Sequence, residues 1–362
     1  MHGSVMIQRF MKNHPHLHWA MVNSDHNFSN VELNPYHMEG SVWTHTMMVF
    51  NNSLKAKYDR AILLASLFHD VGKPGAREEK FASSKNLNKC SFTGHDGLSF
   101  YHTIDILNKS FPELEEWEKI IVAKLVANHS VLFSWAGRKR SGTLEEWISA
   151  AFAGEASFFY WLIRLVKSDI TGRIGSEELE SGDRTLMDFS TFEDIPIHFE
   201  RENVNDKPEL IITVGPPGCG KSTWAVEFSH THEVISRDSI MVEMTEGDSY
   251  KDCWNNQDGN AIDKEVDLQF NAAMAANKNI IIDRTTMSKK SRRRWINMAR
   301  QHGYYTKCVV FFTGAEVIEE RRVARIPDGK DIPGGVIFNM MRGFTYPLTD
   351  EVDEVEEIWF NR

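Results

Sequence analysis

The chain has 362 residues, 41% of them hydrophobic and 25% charged, with a net charge of −10, enough for about two domains. No apolar run approaches the ~18 residues of a membrane span, and Met1 to Pro15 lacks the apolar stretch of a signal peptide, so a cytoplasmic protein without membrane contact is expected. Cys90, Cys219, Cys253 and Cys308 form no CxxC pair, which argues against a disulfide scaffold or a thiolate metal site.

Up to about Arg184 the pattern is helical. Apolar residues recur at three- and four-residue spacings over Val42–Leu54, Asp59–His69, Leu98–Lys109, Leu114–Asn128, Leu144–Ala153 and Ala156–Asp169. Residues 175–208 turn polar and acidic and read as a linker, with the boundary near residue 205. Beyond it, Leu210–Val214 is a short apolar strand followed by a glycine loop and a helix through Phe228, and Asn279–Asp283 and Thr306–Phe312 repeat the strand signal. Two domains are therefore expected: residues 1–205, all-α, and residues 206–362, an α/β P-loop domain with a parallel sheet. Splitting at residue 205 leaves 21 Lys+Arg against 26 Asp+Glu in the first part and 20 against 25 in the second. Neither part is basic, so any contact with nucleic acid should be local, at a strand end.

In the first part His45, His69-Asp70, His129 and Asp169 read as residues at the C-terminal ends of successive helices. Converging helix ends can gather such side chains around one point, and imidazole with carboxylate suits Mn, Fe, Co, Ni or Zn better than Mg or Ca. Each histidine alone is more often a cap or a satisfied core residue. His14, His16 and His18 alternate in a polar N-terminal stretch and read as structural or surface residues. The segments Tyr36 to Thr46, Leu67-Phe68-His69-Asp70-Val71-Gly72-Lys73-Pro74, Gly94-His95-Asp96 and Asn128-His129 together resemble HD phosphohydrolases, closest to the HD modules of bacterial tRNA nucleotidyltransferases, over residues 34–173. The resemblance implies that His45, His69, Asp70 and Asp169 hold a first metal, Mn²⁺ before the other transition metals. It also implies that His95 and His129 add a second ion bridged by Asp70. Paired ions of this kind generate hydroxide and neutralise phosphoryl oxygens. The sequence leaves open whether His37 and Glu39 ligate, orient a ligand or touch substrate.

In the second part, Gly215-Pro216-Pro217-Gly218-Cys219-Gly220-Lys221-Ser222-Thr223 follows a strand and opens a helix. Backbone N–H groups of such a loop wrap a β-phosphate, Lys221 spans the β- and γ-phosphates, and Ser222 ligates Mg²⁺. Downstream, Asp238 follows a second strand where it could accept a hydroxyl proton. Asp283 ends an apolar strand, positioned to contact the phosphate site or its metal water. Arg321 and Arg325 lie four apart, on one helix face, ahead of a lid-like Asp328-Gly329-Lys330. Lys289, Lys290, Arg292, Arg293 and Arg294 form a basic run, by default a solvated helix start and alternatively a nucleic-acid contact.

Residues 209–345 resemble phage-type 5′-OH polynucleotide kinases, which implies Asp238 as general base, Arg321 and Arg325 as lid arginines, and ATP or GTP as donor. Where the phage enzyme carries an arginine that holds the acceptor's 3′-phosphate, this chain has Met241. The two modules in this order resemble the HD-Pnk class of RNA repair enzymes. The resemblance implies removal of a 2′,3′-cyclic phosphate or 2′(3′)-phosphate and phosphorylation of the 5′-OH at RNA (or DNA) ends, with a separate ligase sealing them. Two alternatives remain at this point: an HD nucleotidase fused to a small-molecule kinase, and a nucleotide-sensing regulator without turnover.

Overall fold

The computed structural model describes residues 2–29, 32–81, 88–136, 142–175, 207–247 and 249–360, with side chains 134–136 outside that set. The chain forms two compact units, Met1–Glu200 and Arg201–Arg362. The expected boundary at residue 205 and residues 176–206 of the expected linker lie outside the described residues. No described helix is long and apolar enough to cross a membrane.

The first unit is helical: α1 Gly3–Asn13, α2 Pro15–Asn23, α3 Val42–Lys55, α4 Arg60–Phe68, α5 Lys73–Ala76, α6 His95–Ser110, α7 Glu116–Asn128, α8 Val131–Ala136, α9 Leu144–Ala151 and α10 Ala156–Thr171. A small antiparallel pair, β1 Glu78–Lys80 and β2 Lys89–Ser91, sits between α5 and α6. The helix starts are chemically marked. Ser41 Oγ accepts from Thr44 N at 3.1 Å at the head of α3, and Glu115/Glu118 and Thr143/Glu146 form capping boxes on α7 and α9. Helix α4 is buried along Ile62 to Phe68, as a helix apolar on all sides must be. It packs against α3, α7 and α10, which carry most of the ligand candidates.

The N-terminal stretch read as polar is instead α1 and α2. Met6 and Phe10, one helical turn apart, bury a narrow stripe, and Pro15 starts α2 at the position where a missing N–H costs nothing. His14, between the two helices, is fully buried, and its ring stacks at 6.2 Å on Phe10.

The second unit holds five parallel strands in the order β4-β5-β3-β6-β7: β3 Glu209–Val214, β4 Glu233–Ser236, β5 Ile280–Asp283, β6 Tyr305–Phe312 and β7 Glu354–Trp359. Helices α11 Lys221–Glu227, α12 Arg237–Met244, α13 Tyr250–Asn256, α14 Gly259–Ala275, α15 Lys289–Gln301, α16 Ala315–Ala324 and α17 Gly334–Arg342 connect them. Central strands of a parallel sheet are covered on both faces and so read as unbroken apolar runs, as Ile280-Ile281-Ile282 does, all buried. Edge strand β7 carries Glu354, Glu356 and Glu357 and escaped the hydrophobic pattern. Lys307 on the neighbouring strand pairs with Glu354 and Glu356.

Candidate metal centre and P-loop site

Six side chains from five helices and their caps converge in the first unit. His69 Nε2 lies 3.1 Å from Asp70 Oδ2 and 3.4 Å from His45 Nε2, and His45 Nε2 lies 3.0 Å from Asp169 Oδ1. On the other side of the same carboxylate, His95 Nε2 and His129 Nε2 stand 3.4 and 3.7 Å from Asp70 Oδ1 and 3.1 Å from each other. Two ligand groups result, His45-His69-Asp70 and Asp70-His95-His129, sharing Asp70. The expectation that His45, His69-Asp70, His129 and Asp169 sit at C-terminal helix ends is corrected for His45 alone. His45 lies in the first turn of α3 and His95 opens α6, whereas His69 and His129 cap the C-termini of α4 and α7 and Asp169 lies near the end of α10.

The imidazoles are oriented by their other nitrogen. Nδ1 of His69, His95 and His129 donates to the carbonyls of Ser66, Phe92 and Val126 at 2.9, 2.9 and 2.7 Å. His45 Nδ1 faces Glu39 Oε1 at 2.9 Å. These partners turn Nε2 of all four rings inward, where each ring in its neutral form would offer a lone pair to an ion. The Asp70 oxygens are buried and accept no hydrogen bond of good geometry, although the Lys73 ammonium lies 2.8 Å from Oδ2 and the four imidazole Nε2 atoms surround the carboxylate. Four inward lone pairs around an orphaned buried carboxylate fit borderline divalent ions. When bound, such ions would supply a hydroxide nucleophile and charge neutralisation.

The surrounding shell is cationic. Burial opposes ionisation of Asp70 and Asp169. The His69 and Lys73 charges beside Asp70, and Arg173 beside Asp169, outweigh it and hold both carboxyls well below the usual range. Burial likewise works against a charged His45, yet its bonds to Asp169 and Glu39 raise it above the ordinary histidine value. For His129 burial dominates and lowers it to about 4. Arg173 Nη2 donates to Asp169 Oδ2 at 2.7 Å. Glu39 was undecided in the sequence. Its Oε1 lies 2.7 Å from His37 Nδ1 as well as facing His45, and its Oε2 accepts from Ile174 N.

His26, His37 and Glu39 also approach one another closely enough to suggest an ion. The His26 and His37 rings, however, stack nearly parallel at 4.3 Å and 10°, so their in-plane lone pairs run side by side. His26 Nε2 accepts from Lys73 Nζ at 3.0 Å. This group flanks the centre and is not a third ion site.

The second site is built mostly from backbone. Gly218 and Gly220 take φ +89° and +112°, which only glycine adopts freely. A Cβ on Gly215 would collide with Cys219 Sγ, and one on Gly220 with the Phe360 ring. Lys221 Nζ donates to Pro216 O at 2.8 Å inside the loop, while Ser222 and Thr223 are exposed at the start of α11. Asp283 is buried at the C-terminal end of β5, next to β3, which feeds the loop. Asp238 is exposed in the first turn of α12, and Tyr250 Oη donates to its Oδ2 at 3.1 Å.

Arg321 reaches the loop itself, donating to Gly218 O at 2.9 Å. Arg325, four residues on from Arg321, is the C-cap of α16 and keeps the right-handed helical backbone conformation. The nucleic-acid reading of the basic run is corrected in part. Arg292 is fully buried and grips both Glu351 oxygens at 2.7 and 2.9 Å, Lys289 pairs with Asp350, and Arg294 pairs with Asp267. Met241 is buried.

Among known families, the AAA_33 model, described as an AAA domain, matches residues 210–347. The second unit is thus a kinase-like P-loop domain, which implies use of a nucleotide with Mg²⁺. A candidate kinase of Chloroflexus aurantiacus matches at 18% identity over 42% of this chain and 85% of its own, with a TM-score of 0.32. A chain of the Pnkp1/Rnl/Hen1 RNA repair complex matches at 24% identity over 41% of this chain and 51% of its own, with a TM-score of 0.31. Likenesses this low say nothing about activity.

Proposed function

We propose that the chain is a bifunctional end-healing enzyme acting on RNA. The helical unit acts as an HD-type metal-dependent phosphoesterase on 2′,3′-cyclic phosphate or 2′(3′)-phosphate ends, and the P-loop unit as a 5′-OH polynucleotide kinase. The observation that carries the reading is the pairing, in one chain, of a two-sided ligand set around Asp70 with a P-loop that Arg321 touches and an Asp238 that follows a strand of the same parallel sheet. Ribonuclease cleavage leaves a cyclic phosphate on one side of a break and a 5′-OH on the other, so two such sites serve one substrate.

In the helical unit His45, His69, Asp70 and Asp169 would hold one ion, and Asp70, His95 and His129 a second. Lys73 and Arg173 hold the ligand carboxylates ionised. In the P-loop unit Lys221 and the loop N–H groups would bind the donor phosphates, Ser222 would hold the Mg²⁺, and Asp283 would contact the phosphate site or the metal's water. Asp238 takes the proton of the acceptor hydroxyl, and Arg321 with Arg325 steadies charge on the transferring group. The negative net charge is compatible with end recognition, which needs few phosphate contacts.

The test is incubation of the full chain with ATP, Mg²⁺ or Mn²⁺ and a short RNA bearing a 5′-OH and a 2′,3′-cyclic phosphate, with both termini resolved by mass. Gain of a 5′-phosphate together with loss of the 3′ phosphoryl is expected. No change at either end under any metal tried would sink the reading and favour a small-molecule substrate.

A further inference from the structure

We propose that Arg237 and Arg284 form an anion clamp for the phosphodiester on the 3′ side of the acceptor's terminal nucleoside. This rests on the kinase reading and names how its acceptor is held.

Position comes first. Arg237 directly follows β4 and Arg284 directly follows β5. The strands are parallel neighbours with Ser236 in register with Asp283, so both arginines leave the sheet at the same level on its carboxyl edge. Ligands of open parallel sheets bind at that edge. Arg237 is also the chain neighbour of Asp238, the candidate base. The donor loop follows β3, on the far side of β5 from β4, which puts Arg237 at the end away from the donor.

Charge comes second. Both guanidiniums converge on one carboxylate oxygen, Asp263 Oδ1, from Arg237 Nε at 3.2 Å and Arg284 Nη2 at 3.1 Å. The remaining bond of Arg237, from Nη2 to Gln257 Oε1 at 3.1 Å, goes to a neutral group. Two positive charges thus share one negative charge while about a fifth of each arginine side chain stays exposed. Burial, with Arg237 adding to it, lowers Arg284 below the ordinary arginine value despite Asp263. A bound phosphate would relieve that repulsion, and planar guanidinium forks match its geometry.

The surroundings fit an acceptor strand. Trp254, 51% exposed, presents its ring 6.0 Å from the Arg237 guanidinium and offers a face on which a base can stack. Residue 241 cannot serve, because its side chain points into the core.

The experiment compares two 5′-OH dinucleotides with the full chain, ATP and Mg²⁺, one with a natural phosphodiester and one with an uncharged methylphosphonate link. The wild type should prefer the charged acceptor in kcat/KM by about tenfold or more, the worth of a charge-assisted hydrogen bond. Arg284→Gln and Arg237→Gln should bring that ratio close to one, raising the acceptor KM more than the ATP KM. Equal use of both acceptors by the wild type would overturn the clamp and leave the kinase reading standing. Phosphorylation of neither would remove both. Variants that keep the wild-type ratio, or that raise the ATP KM instead, would also overturn it. Should either variant fail to fold, Asp263→Asn decides, since it removes the competing carboxylate and keeps both arginines. A lower acceptor KM supports the clamp, and an unchanged or higher one refutes it.

Discussion

The two units build their sites in opposite ways. In the helical unit the ligand candidates come from positions 45 to 169, are buried or nearly so, and meet only because five helices pack correctly. In the P-loop unit the phosphate site is a run of consecutive residues whose backbone conformation is fixed locally by Gly218 and Gly220. The lesson is that a site made of distant side chains inherits the stability of its whole core. A site made of local backbone needs only the strand before it and the helix after it.

The sharpest break of this comparison is to remove one group from each site. Asp70→Ala takes away the residue shared by both ligand groups. Metal content measured on the purified protein should fall from one or two ions per chain to none, with phosphoesterase activity lost and kinase activity kept. Lys221→Ala should do the reverse, costing about 10²–10³-fold in phosphoryl transfer while metal content stays unchanged. If Asp70→Ala removed kinase activity in a protein that remained folded, the assignment of separate sites would be wrong.

A smaller effect is expected from Arg292→Ala, which leaves Glu351 buried without its partner. Chemical denaturation of the P-loop unit should show a loss of about 3–5 kcal/mol, with the metal content of the helical unit unaffected. Smaller again is Glu39→Ala, which frees His45 Nδ1. Metal affinity should weaken about 10–100-fold, and the visible spectrum of the cobalt-loaded protein should change, with Glu39→Gln restoring much of both. Unaltered affinity and spectrum would show that Glu39 does not orient His45.

The mildest test uses pH. Burial, with nearby Lys109 adding to it, holds His14 down at about 4, while in the unfolded chain it titrates near 6.5. Between these values the unfolded state binds more protons, so the helical unit should lose stability as pH falls from 6.5 to 4. His14→Phe should flatten that part of the melting-temperature profile. An equally steep fall in the variant would assign the acid sensitivity elsewhere.

Much of this was legible in the chain itself. The 3.6-residue periods over α3, α4, α6, α7 and α10 and the short apolar stretches of β3, β5 and β6 are consequences of burying one face or both. The glycine loop carries its geometry within nine residues. Several elements were not legible, three of them for clear physical reasons. The buried stripe of α1 is narrow, α2 begins among histidines of which only His14, its N-cap, is fully buried, and β7 is an acidic edge strand two of whose charges are met by Lys307.

By itself, the sequence determined a helical part, though not its small β1–β2 pair, a parallel P-loop domain, and which residue types offer metal or phosphate chemistry, because periodicity and contiguous motifs are local properties. Only the tertiary structure decided that Glu39 faces His45, that Arg292 is a buried strut and no surface contact, and that Arg237 and Arg284 meet on Asp263. Those partnerships join residues up to 59 positions apart, and helix packing and strand register, which no local pattern encodes, bring them together.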